Sequence, residues 1–209
     1  MDSTLALLIQ VLAGVSLAAC CGLRAFLPLF VIGLAVRLGL VELVLEQPIQ
    51  LNPSFGWLAS TPALMIFGLA VVLEMAADKV PLVDHVLDVV ETVLRPLSGM
   101  LVVTASLAGL DPLPAAVIGL IVGGSVAGSV HLAKSKIRLL STLGTGGLAS
   151  PILSLLEDFL ALAGSVLAVF ASVIAALLIV LGIAFTARTV QRYLRRVRSL
   201  EEEAGPPHA

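Results

Sequence analysis

Residues 5–36 read LALLIQVLAGVSLAACCGLRAFLPLFVIGLAV, an apolar stretch interrupted by one charged residue, Arg24, and by Pro28 four positions later. The part before Arg24, residues 5–23, is long enough to cross the hydrocarbon core of a bilayer as an α-helix. Proline lacks a backbone N–H and therefore kinks or ends a helix. The sequence predicts a first span over 5–23 whose extension to residue 36 is either a kinked continuation or a re-entrant piece.

The composition of the whole chain is that of a membrane protein. Of its 209 residues, 59% are hydrophobic and 12% are charged, and the mean hydropathy is +1.11, well above the range of water-soluble domains. The apolar segments lack the alternation of a membrane β-barrel, so the predicted fold class is all-α, a polytopic transmembrane helical bundle. Twelve Lys and Arg against fourteen Asp and Glu leave no basic face for a phosphate backbone, which excludes nucleic acid as a partner.

Further apolar segments predict four more spans. They lie at 58–77, 97–110, 115–130 and 151–187, with an amphipathic interfacial helix at 82–95 and a tail at 188–209 that is first basic and then acidic. As one helix, 151–187 would be about 55 Å long, whereas the hydrocarbon core is about 30 Å thick. We therefore expect a single transmembrane domain, 1–187, whose first and last elements are both broken, the last one at Glu157-Asp158.

Charged residues and histidines inside or beside these segments form the candidate site. A charged side chain at mid-bilayer costs about 2.5–3.5 kcal/mol on insertion scales, so it needs a partner or a wet cavity. Because the guanidinium of Arg24 cannot be discharged, we expect it to pair with Glu157 or Asp158. The predicted polar pathway or network comprises Arg24, Glu74, Asp78, Lys79, Asp84, His85, Asp88, His131, Lys134, Glu157 and Asp158.

The same residues admit other interpretations. The near balance of acids and bases favours mutual neutralisation, so the charges could be salt bridges that lock helices together. Several of the side chains are also ligand types for a divalent metal, but their spacing matches no established motif and neighbouring lysines would repel the ion. A metal site is therefore left open. No His-Glu-x-x-His sequence occurs, and we expect neither catalytic residues nor a cofactor.

Glycines in the predicted fourth span indicate close helix packing. Gly119 and Gly123 form one small-xxx-small pair, and Gly124 and Gly128 form a second. Small residues at this spacing allow two helix backbones to approach each other in a membrane. We predict that these four glycines pack against another helix.

Four polar segments carry a resemblance to a known family. They are 22–28 (GLRAFLP), 77–85 (ADKVPLVDH), 131–134 (HLAK) and 154–158 (SLLED). Over roughly residues 22–162 the chain resembles a bacterial membrane family known only as domain of unknown function 4126. The resemblance implies a small multi-pass membrane protein of unassigned activity, and it names no substrate.

Broken helices with ionisable residues mark ion or solute pathways more often than plain scaffolds. The leading hypothesis is therefore a small transporter or channel-like protein that takes an ion or small solute. A structural or lipid-interacting membrane protein is the alternative, and an intramembrane enzyme comes third. The expected partner is the lipid bilayer, and a homo-oligomer is left open. Five arginines after residue 187 predict a cytoplasmic C-terminus, and the family resemblance implies that the membrane is a bacterial inner membrane.

Overall fold

The computed structural model describes residues 3–40, 50–78, 81–145 and 150–172, together with isolated positions between 174 and 192. Of residues 3, 81–88, 142, 143, 145 and 150 it describes the backbone only. The chain divides into two compact units, Met1–Ala176 and Leu177–Ala209, and the features discussed below belong to the first. All regular secondary structure in the described residues is helical, which confirms the predicted all-α class.

The helices follow one another with short connections. They are α1 (Ser3–Leu23), α2 (Leu27–Arg37), a 3-10 helix (Pro53–Ala59), α3 (Thr61–Ala77), α4 (Pro81–Ser106), α5 (Pro112–Ile118), a π-helical segment (Gly119–Gly124), α6 (Ser125–Thr145) and α7 (Ser150–Phe170).

Four described stretches are long and apolar enough to cross a membrane. They are Thr4–Leu23, Val89–Ser106, Pro112–Ser141 and Pro151–Phe170. The 3-10 helix and α3 meet at a bend of 61° and make a fifth span if they are counted together. Large apolar side chains of α3, including Met65, Ile66 and Leu69, are exposed, as is usual for a helix that faces lipid. The predicted helical membrane bundle is thus confirmed, with four or five spans.

The division of residues 82–110 into an interfacial helix and a separate span is wrong. Helix α4 runs without interruption from Pro81 to Ser106 and contains Pro96. Proline is tolerated within membrane helices when a neighbouring helix accommodates it. Here Gly128 lies against the Pro96 ring, because a Cβ placed on this glycine would be 3.5 Å from Pro96 Cγ. Pro96 therefore lies in a region where the two helices pack against each other.

The predicted fourth and last spans also differ from the structure. The fourth does not end at residue 130, because the helical stretch continues to Ser141 and carries His131 and Lys134 within it. The last element is not broken at Glu157-Asp158, since α7 is helical from Ser150 to Phe170. Its helix ends before Ala171 instead. Acidic side chains can point towards a cationic neighbour without leaving the helix, so charge in an apolar segment does not by itself mark a helix end.

The core forms where α1 packs against α4, α6 and α7. Buried side chains from each helix meet there, including Leu17, Val103, Ala127 and Ala168. The backbones of α4 and the π-helical segment come closest at Gly99 and Gly123, where a Cβ on Gly99 would be 2.5 Å from Ala127 Cβ. The α4 backbone thus approaches its neighbours at a point where a side chain would not fit.

A buried asparagine ties the segment before the 3-10 helix to the end of α4. The Asn52 side-chain amide donates hydrogen bonds to the carbonyl oxygens of Leu107 and Leu110 at 3.0 and 2.9 Å. Its backbone N–H donates to Ala105 O at 2.8 Å. These bonds satisfy carbonyls at the end of α4 and just after it that lack helical partners. Sequence reasoning missed this anchor, because asparagine is also common in exposed turns.

Candidate functional site

The candidate site is built around the break between α1 and α2. Helix α1 ends at Leu23, and α2 begins at Leu27 with Pro28 in its first turn. A helix end leaves backbone carbonyls or N–H groups without helical partners, and such groups are costly where water is absent. Backbone groups on both sides of this break therefore need polar partners from other helices.

Cationic side chains bind the carbonyl end of α1. Arg95 Nη1 donates to Gly22 O at 2.7 Å, and Lys134 Nζ donates to Leu23 O at 3.3 Å. The C-terminus of a helix carries partial negative charge, so positive groups stabilise it. Arg95 comes from α4 and Lys134 from α6, and the two bonds attach both helices to the end of α1.

An acidic side chain binds the amide end of the break. Glu74 of α3 accepts hydrogen bonds from the backbone N–H of Ala25 at 2.8 Å and of Phe26 at 3.4 Å. These N–H groups precede α2, whose N-terminus carries partial positive charge. The side chain of Phe26, at the N-cap position, forms no capping bond. Glu74 therefore supplies the acceptor for the N-cap N–H that a Glu or Gln at the third helical position provides in a capping box.

Arg24 lies between two helices that bring acids to it. Its Nη1 is 2.5 Å from Asp78 Oδ2 and its Nη2 is 2.5 Å from Asp158 Oδ1. Nη2 also donates to Ser154 Oγ at 3.1 Å, and this hydroxyl donates to Asp78 Oδ2 at 3.4 Å. The structure thus places Arg24 against Asp158, one of the two acids expected for it, and adds Asp78. The other expected acid, Glu157, has different partners.

Glu157 contacts the basic stripe of α6. Lys134 Nζ lies 2.9 Å from Glu157 Oε2. Arg138 lies 3.9 Å from both Asp78 and Glu157, through Nη2 and Nε respectively. Burial raises the pKa of the Asp78 carboxyl, which stands one residue beyond the end of α3, but the positive charges of Arg24, Lys134 and Arg138 lower it below its usual value. These cations therefore favour the ionised form of Asp78.

A second ion-paired group lies on α4 and was not among the predicted site residues. Arg95 contacts Glu91, four residues earlier on the same helix, in a short ion pair. Its Nη2 is also 3.8 Å from Glu74 Oε1. The sequence analysis placed this part of the chain on an interfacial helix. The usable signal was the i,i+4 spacing of Glu91 and Arg95 directly before an apolar stretch, a pattern that lets both charges enter the bundle as a pair.

The remaining predicted residues lie apart from these contacts or outside the described part of the chain. His131 is buried, and its Nε2 is 3.3 Å from Thr92 Oγ1. Lys79 and the side chains of Asp84, His85 and Asp88 lie outside the described residues. Within the part of the chain that the structure describes, no three His, Cys, Asp or Glu side chains converge as a metal site would require.

The charged residues that meet at the break are named here the charge cluster. Arg24 and Arg95 have 0% exposure, and the cluster joins side chains from α3, α4, α6 and α7 to the end of α1. Its five acids and four bases sum to a charge of −1 when all are ionised. The members are Arg24, Glu74, Asp78, Glu91, Arg95, Lys134, Arg138, Glu157 and Asp158. Such a set can bind a proton or a small ion, or exchange partners when the break moves.

Comparison with known proteins identifies the family of the chain. The model of a domain of unknown function (DUF4126) matches residues 11–192, which include every member of the charge cluster. The chain therefore belongs to this family, as its polar segments indicated. No curated protein and no solved structure matches it.

Proposed function

We propose that this member of the DUF4126 family is a small transporter or channel-like protein in which an ion or small solute passes the broken helix at the charge cluster. The chain is a membrane protein with four or five spans. The proposal adds a role for the charges that these spans enclose. It is supported by one observation, the meeting of nine ionisable side chains, six of them buried, around a helix break.

The break itself does not require so many charges. Its backbone groups are bound by three side chains, those of Arg95, Lys134 and Glu74. Each further charge in the bilayer is costly. Replacing a buried ion pair by well-packed apolar residues is often neutral or stabilising. Stability alone therefore does not account for pairs such as Arg24 with Asp158, and a functional use of these charges does.

Discontinuous helices serve transport in a definite way. The ends of the two half-helices present backbone carbonyls and N–H groups to cargo near the bilayer centre. In this protein the corresponding groups are the carbonyls of Gly22 and Leu23 and the N–H groups of Ala25 and Phe26, which lie at the break that ends the Thr4–Leu23 span. Side chains occupy all four groups in this conformation. Transport would require that an ion, a solute or water takes over some of these bonds while α1 or α2 moves.

A second function is favoured by the completeness of the pairing. Asp78, Glu157 and Asp158 each have a cationic partner, and the cluster is close to neutral. A structural or lipid-interacting membrane protein, whose charges fix the helices in one arrangement, would show this pattern. The two functions differ in whether the cluster exchanges partners during activity.

Flux measurements on the purified protein in liposomes test the proposal. We expect movement of at least one probe among protons, sodium, potassium and chloride across the liposome membrane. The variant Asp78→Asn should lose that flux, because it removes one of the two acids on Arg24. Asp111→Asn changes an exposed acid outside the cluster and should keep it. Absence of flux for every probe would favour the structural function. Equal flux in both variants would overturn the placement of the pathway at the charge cluster.

The proposed orientation places the C-terminus in the cytoplasm of a bacterial cell. It is supported by five arginines after residue 187, because positive charge near a span end is retained inside. Cys20 and Cys21 are free and buried, so a chain with both replaced by alanine is suited to labelling with single cysteines. A cysteine added at residue 209 should resist a membrane-impermeant reagent in intact cells. Its labelling there would reverse the orientation.

A further inference from the structure

We propose that Glu91 is the proton-binding group of the charge cluster, so that the proton is the ion that drives or accompanies transport. The coupling to transport rests on the proposed function, whereas proton binding by Glu91 does not. A proton from water adds to a carboxylate oxygen, forms an O–H bond and changes the side-chain charge from −1 to 0; release is the reverse.

Two carboxylates share one guanidinium at this point. Arg95 Nη2 contacts Glu91 Oε2, and it lies 3.8 Å from Glu74 Oε1. One positive charge neutralises one of two negative charges. The other acid is left as an uncompensated charge in the bundle, which is costly, and the usual response of a buried carboxyl is to take up a proton.

The hydrogen bonds decide which of the two acids binds the proton. Both oxygens of Glu74 accept bonds from backbone N–H groups, those of Ala25 and Phe26, and such bonds favour the ionised form. Glu91 is 2% exposed, and its Oε1 has no hydrogen-bond partner among the described residues. A proton on this oxygen removes the unpaired negative charge without breaking a bond that the backbone needs.

The charges that act on Glu91 come from three helices. Arg95 is on α4 itself, Glu74 and Asp78 belong to α3 and its end, and Lys134 is on α6. Two are positive and two are negative, and each has another partner. Arg95 binds Gly22 O, Lys134 binds Glu157, and Asp78 binds Arg24. No one of these cations is therefore reserved for Glu91 alone.

Proton binding at Glu91 would act directly on the helix break. Arg95 divides its donors between Glu91 and the carbonyl of Gly22 at the end of α1. When Glu91 is neutral, its interaction with Arg95 weakens, because a charge-assisted hydrogen bond between two ions becomes a bond to a neutral acceptor. Arg95 is then free to turn towards Glu74 and the end of α1. The proton thus changes the contacts of the group that stabilises the break.

Infrared spectroscopy of the full chain in lipid, with isotope-labelled glutamate, tests this assignment. We expect a labelled carboxylic-acid C=O band above about pH 5, where solvent-exposed glutamates are ionised. Glu91→Gln should lose this band, and Glu157→Gln, the matched cluster variant paired with Lys134, should keep it. Glu91→Asp should move the band out of the labelled set while it keeps a carboxyl at that position.

The outcomes separate this inference from the proposed function. A wild-type protein without a labelled band above about pH 5, or a band that survives Glu91→Gln, would overturn proton binding by Glu91 even if ions move through the protein. A band that is lost in Glu91→Gln, in a protein that moves no probe across liposomes, would support proton binding and overturn coupling to transport.

Discussion

Helix α4 makes two different kinds of contact at positions that lie one turn apart on the same face. At Arg95 it contributes a guanidinium that joins Glu91, Glu74 and the end of α1. At Gly99, four residues later, it contributes no side chain, and its backbone meets the backbone of Gly123 and the side chain of Ala127. Residues four apart lie above each other on a helix. One region is thus joined by charge and its neighbour by shape.

The two regions differ in the kind of substitution that disrupts them. A backbone crossing depends on volume, so any added atom disturbs it and charge is irrelevant. A buried ion pair depends on the number of charges on each side, so removal of one partner leaves the other uncompensated. Variants that change only volume or only charge should therefore affect one region and spare the other.

The largest effect is expected from Arg24→Met, which removes charge at nearly constant volume. Asp78 and Asp158 would both lose their closest cation, and an uncompensated buried charge costs about 3–5 kcal/mol. We expect a much lower thermal midpoint in detergent or failure to accumulate. Arg37→Met is the control, since Arg37 is an exposed arginine that donates to Ala59 O. Equal stability of both variants would show that water, not the acids, solvates Arg24.

The next effect in size is expected at the glycine crossing. A Cβ at position 123 would overlap the backbone of Gly99 and lie 2.8 Å from Val103 Cγ2, whereas a Cβ at position 124 would lie 3.6 Å from Pro96 O. Gly123→Ala should therefore destabilise the protein by about 1–3 kcal/mol, and Gly124→Ala should not. The thermal midpoints of the two variants in detergent give the comparison. Equal midpoints would mean that α4 and the π-helical segment separate easily.

The same two regions show what the sequence could reveal. Glycine spacing predicts close packing because a small-xxx-small pattern has few other uses in a span, and Gly119 and Gly123 do lie against α4. It does not identify the partner, so Gly99, which has no small residue four positions away in that pattern, was missed. The pattern also treated Gly124 like Gly123, although one helix position changes the face that a residue occupies.

The sequence identified the charged residues of the cluster in part, as it did the glycines. The cost of charge in hydrocarbon singled out charged residues within the apolar segments, and the structure brings them together around the break. They are Arg24, Glu74, Asp78, Glu157 and Asp158. The sequence also assigned Glu157 or Asp158 to Arg24, of which Asp158 is the partner in the structure, but it could not assign partners to the other charges, since it does not fix which helices are neighbours. Arg95 was placed on an interfacial helix because acidic residues recur between the apolar ones over 82–95. In the structure α4 continues through Pro96 to Ser106 and Arg95 is buried, and burial of a charge by partners on other helices is a tertiary property.

The smallest effect is expected from Glu74→Gln, which tests whether charge or shape holds the break open. The amide oxygen can still accept from Ala25 N–H, but the bond to Phe26 N–H and the interaction with Arg95 are weakened. We expect a loss of about 1 kcal/mol, the difference between charged and neutral acceptors. Hydrogen exchange of the backbone amides of residues 25 and 26 should become faster. Glu157→Gln is the matched control, because Glu157 pairs with side chains of α6, and it should leave these amides protected. If the amides at the break exchange alike in both variants, Glu74 does not bind the N-terminus of α2. The break is then maintained only by the contacts of α1 and α2 with the core.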